Sequence, residues 1–250
     1  MLEVHHVSKS FTSVGKTTVA LEDINLTVND GEFVSLLGPS GSGKTTLLRI
    51  IDGLTAPDTG SVLLDGEKVT GVSQGMAFVF QDINLLPWRS VVANVELGLE
   101  ARGVRKQERH ELAMEMLSLV HLSEVAQAPT YTLSGGMQQR VGVARALAVR
   151  PRVLLMDEPF AHLDNFAKEA LQEELIRLWE LLKMTVVFVT HDVDEAILLS
   201  DRVALLKTYP GRIGGVVPVN LARPRSRTAL GALEYRVRIL GDLANWEGAA

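Results

Sequence analysis

The stretch EFVSLLGPSGSGKTTLLRIIDGL, Glu32–Leu54, decides the fold. It begins as a short apolar run ending in glycine, the pattern of a buried strand. It ends with leucine and isoleucine at helical spacing and a glycine stop at Gly53. Between them Gly38–Thr45 reads GPSGSGKT, a complete GxxxxGK[S/T] in the strand-to-helix context that a phosphate loop requires. Gly38, Gly41 and Gly43, with Pro39, Ser40 and Ser42 between them, let successive backbone N–H groups converge on phosphate oxygens without Cβ clashes. The helix N-terminus adds a partial positive charge. Lys44 supplies a point charge for the β- and γ-phosphates, the Thr45 hydroxyl suits Mg²⁺, and Thr46 belongs to the same first turn.

A second GKTT, at Gly15–Thr18, fails the same test. Position 10 is serine where the loop needs glycine, and Lys16 leads into a β-like stretch. Gly15–Lys16 reads as a loop between two early strands.

Composition sets the frame. The chain has 250 residues, 46% hydrophobic and 22% charged, which is ordinary for a globular protein with one large core. A formal net charge of −5 argues against a nucleic-acid partner. With no cysteine, disulfides, thiolate metal sites and cysteine nucleophiles are excluded. The N-terminal MLEVHHVSKSF lacks a basic-then-apolar leader, and no run approaches the ~18 apolar residues of a membrane span. The expectation is a soluble, cytoplasmic chain able to dock on a membrane partner.

Alternation in LEVHHVSKSF and VALEDINLTV predicts two early strands, and TGSVLLDGEKV a hairpin turning at Asp65-Gly66. AFVFQ, VLLMD, TVVFVT and RVALL read as buried strands. From Val91 to Leu122 the pattern is helical, and GMQQRVGVARALAV, KEALQEELIRLWELLK and DEAILLS add further helices. Parallel strands with helical crossovers imply a doubly wound α/β core with an all-α insertion. The expected boundaries are a single domain with its core at about 1–85 and 150–215, a helical subdomain at about 86–149 and a short basic tail at about 216–250, helical near Thr228–Trp246.

VLLMDEP, Val153–Pro159, is an apolar strand ending in two carboxylates, where open α/β sheets gather ligands. Asp157 is placed to hold Mg²⁺, and Glu158 to orient or deprotonate an attacking water. LSGGMQQR, Leu133–Arg140, puts Ser134, Gly135 and Gly136 before a helix, a second anion-seeking N-terminus. In this order GPSGSGKT, LSGGMQQR and VLLMDEP resemble the ATP-binding cassette (ABC) ATPases over nearly the whole chain.

The resemblance implies an ABC ATPase fold: a P-loop, RecA-like core with an N-terminal antiparallel β subdomain. It implies ATP and Mg²⁺ as ligands, and two cassettes packed head to tail so that the signature of one caps the phosphate loop of the other. Ser134, Gly135, Gly136 and Gln138 then belong to the nucleotide site, with Asp164 in the loop after Glu158. Gln81, ending AFVFQ, corresponds to the glutamine that contacts Mg²⁺ and the attacking water, and His191 to the switch histidine on the γ-phosphate. Phe11 falls where the family stacks an aromatic on adenine, although a core phenylalanine is an equal reading. His162 departs from the family's usual alanine: it bears on subunit communication or is merely solvated.

One cassette per chain, no sustained heptads in the insert and no membrane spans leave transport as the process, with separate permease subunits. Leu85, Leu86, Pro87 and Trp88 form an apolar patch after Gln81 where such importers receive a permease helix. LLPWRSVVANVELGLEARGV, MDEPFAHLD and PGRI…VNLARPRSR resemble importers of nitrate, aliphatic sulfonates and taurine, which implies a homodimer at the cytoplasmic membrane face and, indirectly, a solute-binding protein. The alternatives are a soluble cassette that remodels a macromolecular complex, and a nucleotide-binding module without hydrolysis.

Overall fold

The structure is a computed structural model that describes residues 1–13, 15–161 and 163–247; His162 lies outside the described residues. In chain order the elements are β1 (Leu2–Ser13), β2 (Lys16–Val28), β3 (Phe33–Leu37), α1 (Lys44–Ile51), β4 (Thr59–Leu64), β5 (Glu67–Lys68), β6 (Met76–Val79), α2 (Val91–Val95), α3 (Leu97–Ala101), α4 (Lys106–Leu119), α5 (Gly135–Ala148), β7 (Val153–Asp157), α6 (Asn165–Leu182), β8 (Thr185–Thr190), α7 (Val193–Leu199), β9 (Arg202–Lys207), β10 (Arg212–Pro218) and α8 (Leu230–Glu247). They form two units, Met1–Ser73 with Thr185–Ala250, and Gln74–Met184. The helical pattern alone suggests boundaries near 86 and 149; the packing of α5 on β6 and of α6 on α5 groups β6, β7 and α6 with the helices.

In the first unit β1 and β2 pair antiparallel from Leu2↔Val28 to Ser13↔Lys16, and β4 adds to the other edge of β1. Alternate residues such as Leu2, Val4, Leu26 and Val28 are buried, the period-two signature of a half-covered sheet. Lys16 thus opens β2 opposite Ser13, and the first GKTT is part of a hairpin. Asp65 and Gly66 both take positive φ, 54° and 81°, as a two-residue hairpin turn requires.

β3 lies between β8 and β9, parallel to both, with β10 antiparallel on β9. Every residue of β3 and β8 is buried, which is why these strands read as unbroken apolar runs. The buried Ser35 hydroxyl of β3 shares a hydrogen bond with that of Ser200, at the end of α7. β10 was not legible as a strand: Gly214-Gly215 lowers its β propensity, and its partner β9 supplies the pairing. Gly214 has a packing reason, since a Cβ there would stand 2.5 Å from the Trp246 ring of α8. α8 covers a buried cluster that includes Ile197, Val203, Val217, Val219, Ala232 and Ile239.

In the second unit β6 and β7 run parallel, from Met76↔Val153 to Val79↔Met156. α5 packs on α4, α2 and β6, and its small residues Gly142, Ala144 and Ala148 are buried. The buried amide of Asn94 pins the turn before α2. Its Nδ2 donates to the carbonyls of Leu86, Arg89 and Ser90, and its Oδ1 accepts the Leu86 N–H at 2.7 Å.

Candidate nucleotide-binding site

The phosphate loop joins β3 to α1 within the first unit, as its sequence requires. Gly43 stands before α1 with φ 86°, and no side chain caps the helix. The helix N-terminus therefore presents its partial positive charge with no capping side chain in the way of an anion. By contrast α2, α5, α6 and α7 are capped by Ser90, Ser134, Asp164 and Asp192. A Cβ on Gly43 would stand 2.6 Å from Leu21 Cδ2 and 2.8 Å from the Ala20 carbonyl, so the loop is wedged against β2. The buried Lys44 ammonium curls into the loop, donating to the carbonyls of Gly38 at 2.7 Å and Pro39 at 2.9 Å.

These residues fit a triphosphate. The Ser42 hydroxyl oxygen is buried with no hydrogen-bond partner among the described residues, in a loop lined by backbone N–H groups. An orphaned donor in such a place calls for an acceptor from outside the chain. Pro39, Ser40, Gly41, Thr45 and Thr46 occupy the same loop and first helical turn.

Three more residues of this unit are placed by the structure. His191 follows the last residue of β8 and is exposed. Phe11, on β1, is half-exposed with the Lys9 ammonium 5.6 Å from its ring centre, so it is no core residue. Tyr209 is not among the residues the sequence singles out, since it precedes PGRI and belongs to no motif. Its hydroxyl lies 3.7 Å from where a Cβ on Gly41 would be, and its backbone holds φ 54°. Two residues on, Gly211 accepts the Glu22 N–H and donates to the Ala20 carbonyl; a side chain there would strike the Ser42 carbonyl at 2.4 Å.

The second unit holds the carboxylates and the signature. Asp157 ends the fully buried β7 and is itself buried, while Glu158 is partly exposed and takes φ 43°. A non-glycine residue held there costs roughly 1–3 kcal/mol and marks a side chain whose direction matters. Gln81, Gly135, Gln138, Pro159 and Leu163 line one cavity of about 420 Å³, bringing together the loop after β6, the signature and the segment after Glu158.

Ser134 caps α5 by accepting the Met137 N–H at 3.3 Å and is exposed with Gly135. Capping uses one lone pair, and the hydroxyl proton remains a donor. Gln138 serves its own loop, since its amide donates to the Thr130 and Leu133 carbonyls and fixes the turn before the signature. Asp164 caps α6 through the N–H groups of Phe166 and Ala167, both at 3.0 Å. Beyond Gln81, Trp88 is 77% exposed, and Leu85 and Leu86 are half-buried beside it. Asn94, which holds this turn, was also missed, because a polar residue within an apolar helix carries no motif.

A family model described as ABC transporter matches residues 21–161. An uncharacterized ABC transporter ATP-binding protein of Methanocaldococcus jannaschii is 51% identical over 97% of this chain and 91% of its own length. The taurine import ATP-binding protein TauB of Pseudomonas entomophila is 47% identical over 85% of this chain and 82% of its own. The nitrate import ATP-binding protein NrtD of a Synechocystis strain is 43% identical, with 91% and 87% covered. Among solved structures, a dimeric ATP-binding cassette in a post-hydrolysis state, bound to ADP and Pi, matches with a TM-score of 0.78 at 35% identity, over 89% of this chain and 100% of that one.

Proposed function

The chain belongs to the ABC transporter family, and from that premise we propose that it is the ATP-hydrolysing subunit of an importer for solutes of the nitrate, sulfonate and taurine class. The observation that carries the mechanism is the pair of N-termini: an uncapped α1 behind the phosphate loop, and an exposed Ser134-Gly135 turn at the start of α5. Each is suited to phosphate oxygens, and one γ-phosphate contacted by both joins two copies of the chain.

In that arrangement the loop N–H groups, Ser42 and Lys44 of one copy hold the β- and γ-phosphates, and Phe11 stacks on the base. Ser134 and Gly136 of the other copy donate to the γ-phosphate from the far side. Thr45, Asp157 and Gln81 would hold Mg²⁺ through their oxygens, and the ion would offset phosphate charge when bound. Glu158 accepts a proton from the attacking water as its oxygen bonds to the γ-phosphorus. The β–γ bridging oxygen leaves with ADP, and His191 steadies the γ-phosphate. Loss of the γ-phosphate removes the bridge between the copies. ATP drives the cycle only through its differential affinity for the closed pair, about 5.5 kcal/mol to move a 1:99 equilibrium to 99:1.

Among the described residues no helix is long and apolar enough to cross a membrane, so the path for solute belongs to permease subunits. Trp88, with Leu85, Leu86 and Pro87, is the proposed contact for them at the cytoplasmic face of the membrane, and a solute-binding protein acts through that permease. Affinity purification from detergent-solubilised membranes tests the reading. Recovery of a multi-span partner, lost in Trp88→Ala, is expected; a purely soluble assembly would overturn it.

A further inference from the structure

α8 has two apolar faces. One, with Ala232 and Ile239, is buried in its own unit. The other carries Leu230, Leu233, Val237 and Leu240 at heptad spacing, all exposed to solvent, Leu230 by 81% and Val237 by 73%. A solvated helix face gains nothing from that 3-4-3 spacing, whereas a seam against a second helix requires it.

The charges beside the seam select the occupant. On one flank Arg236 lies 3.5 Å from Asp194 of α7, an ion pair within the chain. On the other flank Glu234 and Arg238, one turn apart, make no hydrogen bond or ion pair among the described residues. An identical helix laid antiparallel sets Leu230 opposite Leu240 and Leu233 opposite Val237. It also brings Glu234 of each copy to Arg238 of the other, twice over by symmetry. We infer that the exposed stripe of α8 pairs antiparallel with α8 of a second copy of this chain.

The size of the contact says how it works. In that register the two helices overlap over residues 230–240, about 15 Å. A seam about 10 Å wide over that length covers roughly 300 Å² in total, below the ~1,200 Å² of a self-sufficient complex. The α8 pair is therefore a weak tether: it keeps two copies at high effective concentration between nucleotide-bound closures. This use rests on the reading of the chain as half of a cassette pair; the contact itself needs no nucleotide.

The absence of cysteine gives a clean background for cross-linking. Leu230→Cys/Leu240→Cys, treated with a short bismaleimide without nucleotide, should yield covalent dimers. Either single variant should yield at least about tenfold fewer, because identical positions sit about 15 Å apart along antiparallel axes. Leu233→Glu/Val237→Glu, both at exposed positions, should abolish nucleotide-free self-association in sedimentation while ATP binding persists. Equal cross-linking by Leu230→Cys alone, no dimer from Leu230→Cys/Leu240→Cys, or stripe-dependent flotation with anionic vesicles would each overturn the inference. A Mg-ATP dimer of Glu158→Gln separates the two readings. If it forms while α8 fails to cross-link, the tether is wrong and the cassette pair stands; if α8 cross-links and no such dimer forms, the reverse holds.

Discussion

The Lys44 ammonium donates to the Gly38 carbonyl at 2.7 Å, so the cation of the phosphate loop is held by the first glycine of its own motif. The motif's own backbone thereby fixes where the ammonium sits within the loop. Lys44→Ala should weaken ATP affinity at least about tenfold and lower turnover by about 10²-fold or more, read by nucleotide titration and phosphate release. A variant with undiminished turnover would remove Lys44 from the site.

Glu158→Gln keeps the side-chain volume but accepts no proton. Turnover should fall by about 10²–10⁴-fold while ATP binding persists. With Mg-ATP the chain should elute as a dimer in size exclusion. Elution as a monomer at high concentration, with ATP bound, would count against the shared site.

Ser134→Arg places a bulky cation at the exposed start of α5. Binding of ATP to the isolated chain should be unaltered, since the phosphate loop lies on another element, and cooperative hydrolysis should vanish. Ser134→Ala is milder. It removes the cap on Met137 and should cost about 1 kcal/mol of stability by denaturant titration.

Asn94→Ala leaves the carbonyls of Leu86, Arg89 and Ser90 without their shared donor. The expected loss is about 2–3 kcal/mol in urea unfolding. The turn bearing Trp88 should loosen with it, so permease recovery should fall while nucleotide affinity stays within about twofold.

Asp52, after α1, has its carboxyl pushed up from 3.8 to about 6 by burial. Between about pH 4 and pH 6 the folded chain retains a proton that the unfolded chain has released, so stability declines as pH rises through this window. Above it the ionised carboxylate carries its full desolvation cost. Asp52→Asn should raise stability at pH 7.5 by about 1–2 kcal/mol, solvent screening considered, and leave it unchanged at pH 4. An equal difference at both pH values would show that burial of the charge is not the cause.

The order of elements was legible where apolar periodicity and glycine punctuation agree. β3, α1, β7 and β8 are short buried runs, and the Asp65-Gly66 turn has the one composition that suits its backbone. Motif order made the phosphate loop, the signature and the carboxylate strand readable. What escaped was set by partners distant in sequence. β10 is a strand because β9 offers it an edge, and Tyr209 matters because the backbone brings it beside Gly41. The bracing by Asn94 and the holding role of Gln138 show only when the carbonyls they serve are in place.

Gly211 donates to the Ala20 carbonyl, 191 positions earlier in the chain, and leaves no room for a side chain between itself and the carbonyl of Ser42. On the ribosome, the glycine-rich turn at 38–45 emerges long before this buttress is synthesised. A nascent chain halted before residue 211 has the whole motif and lacks one wall of its mould. Competence to retain ATP is therefore acquired late in biosynthesis, when the last sheet strand closes on the first hairpin.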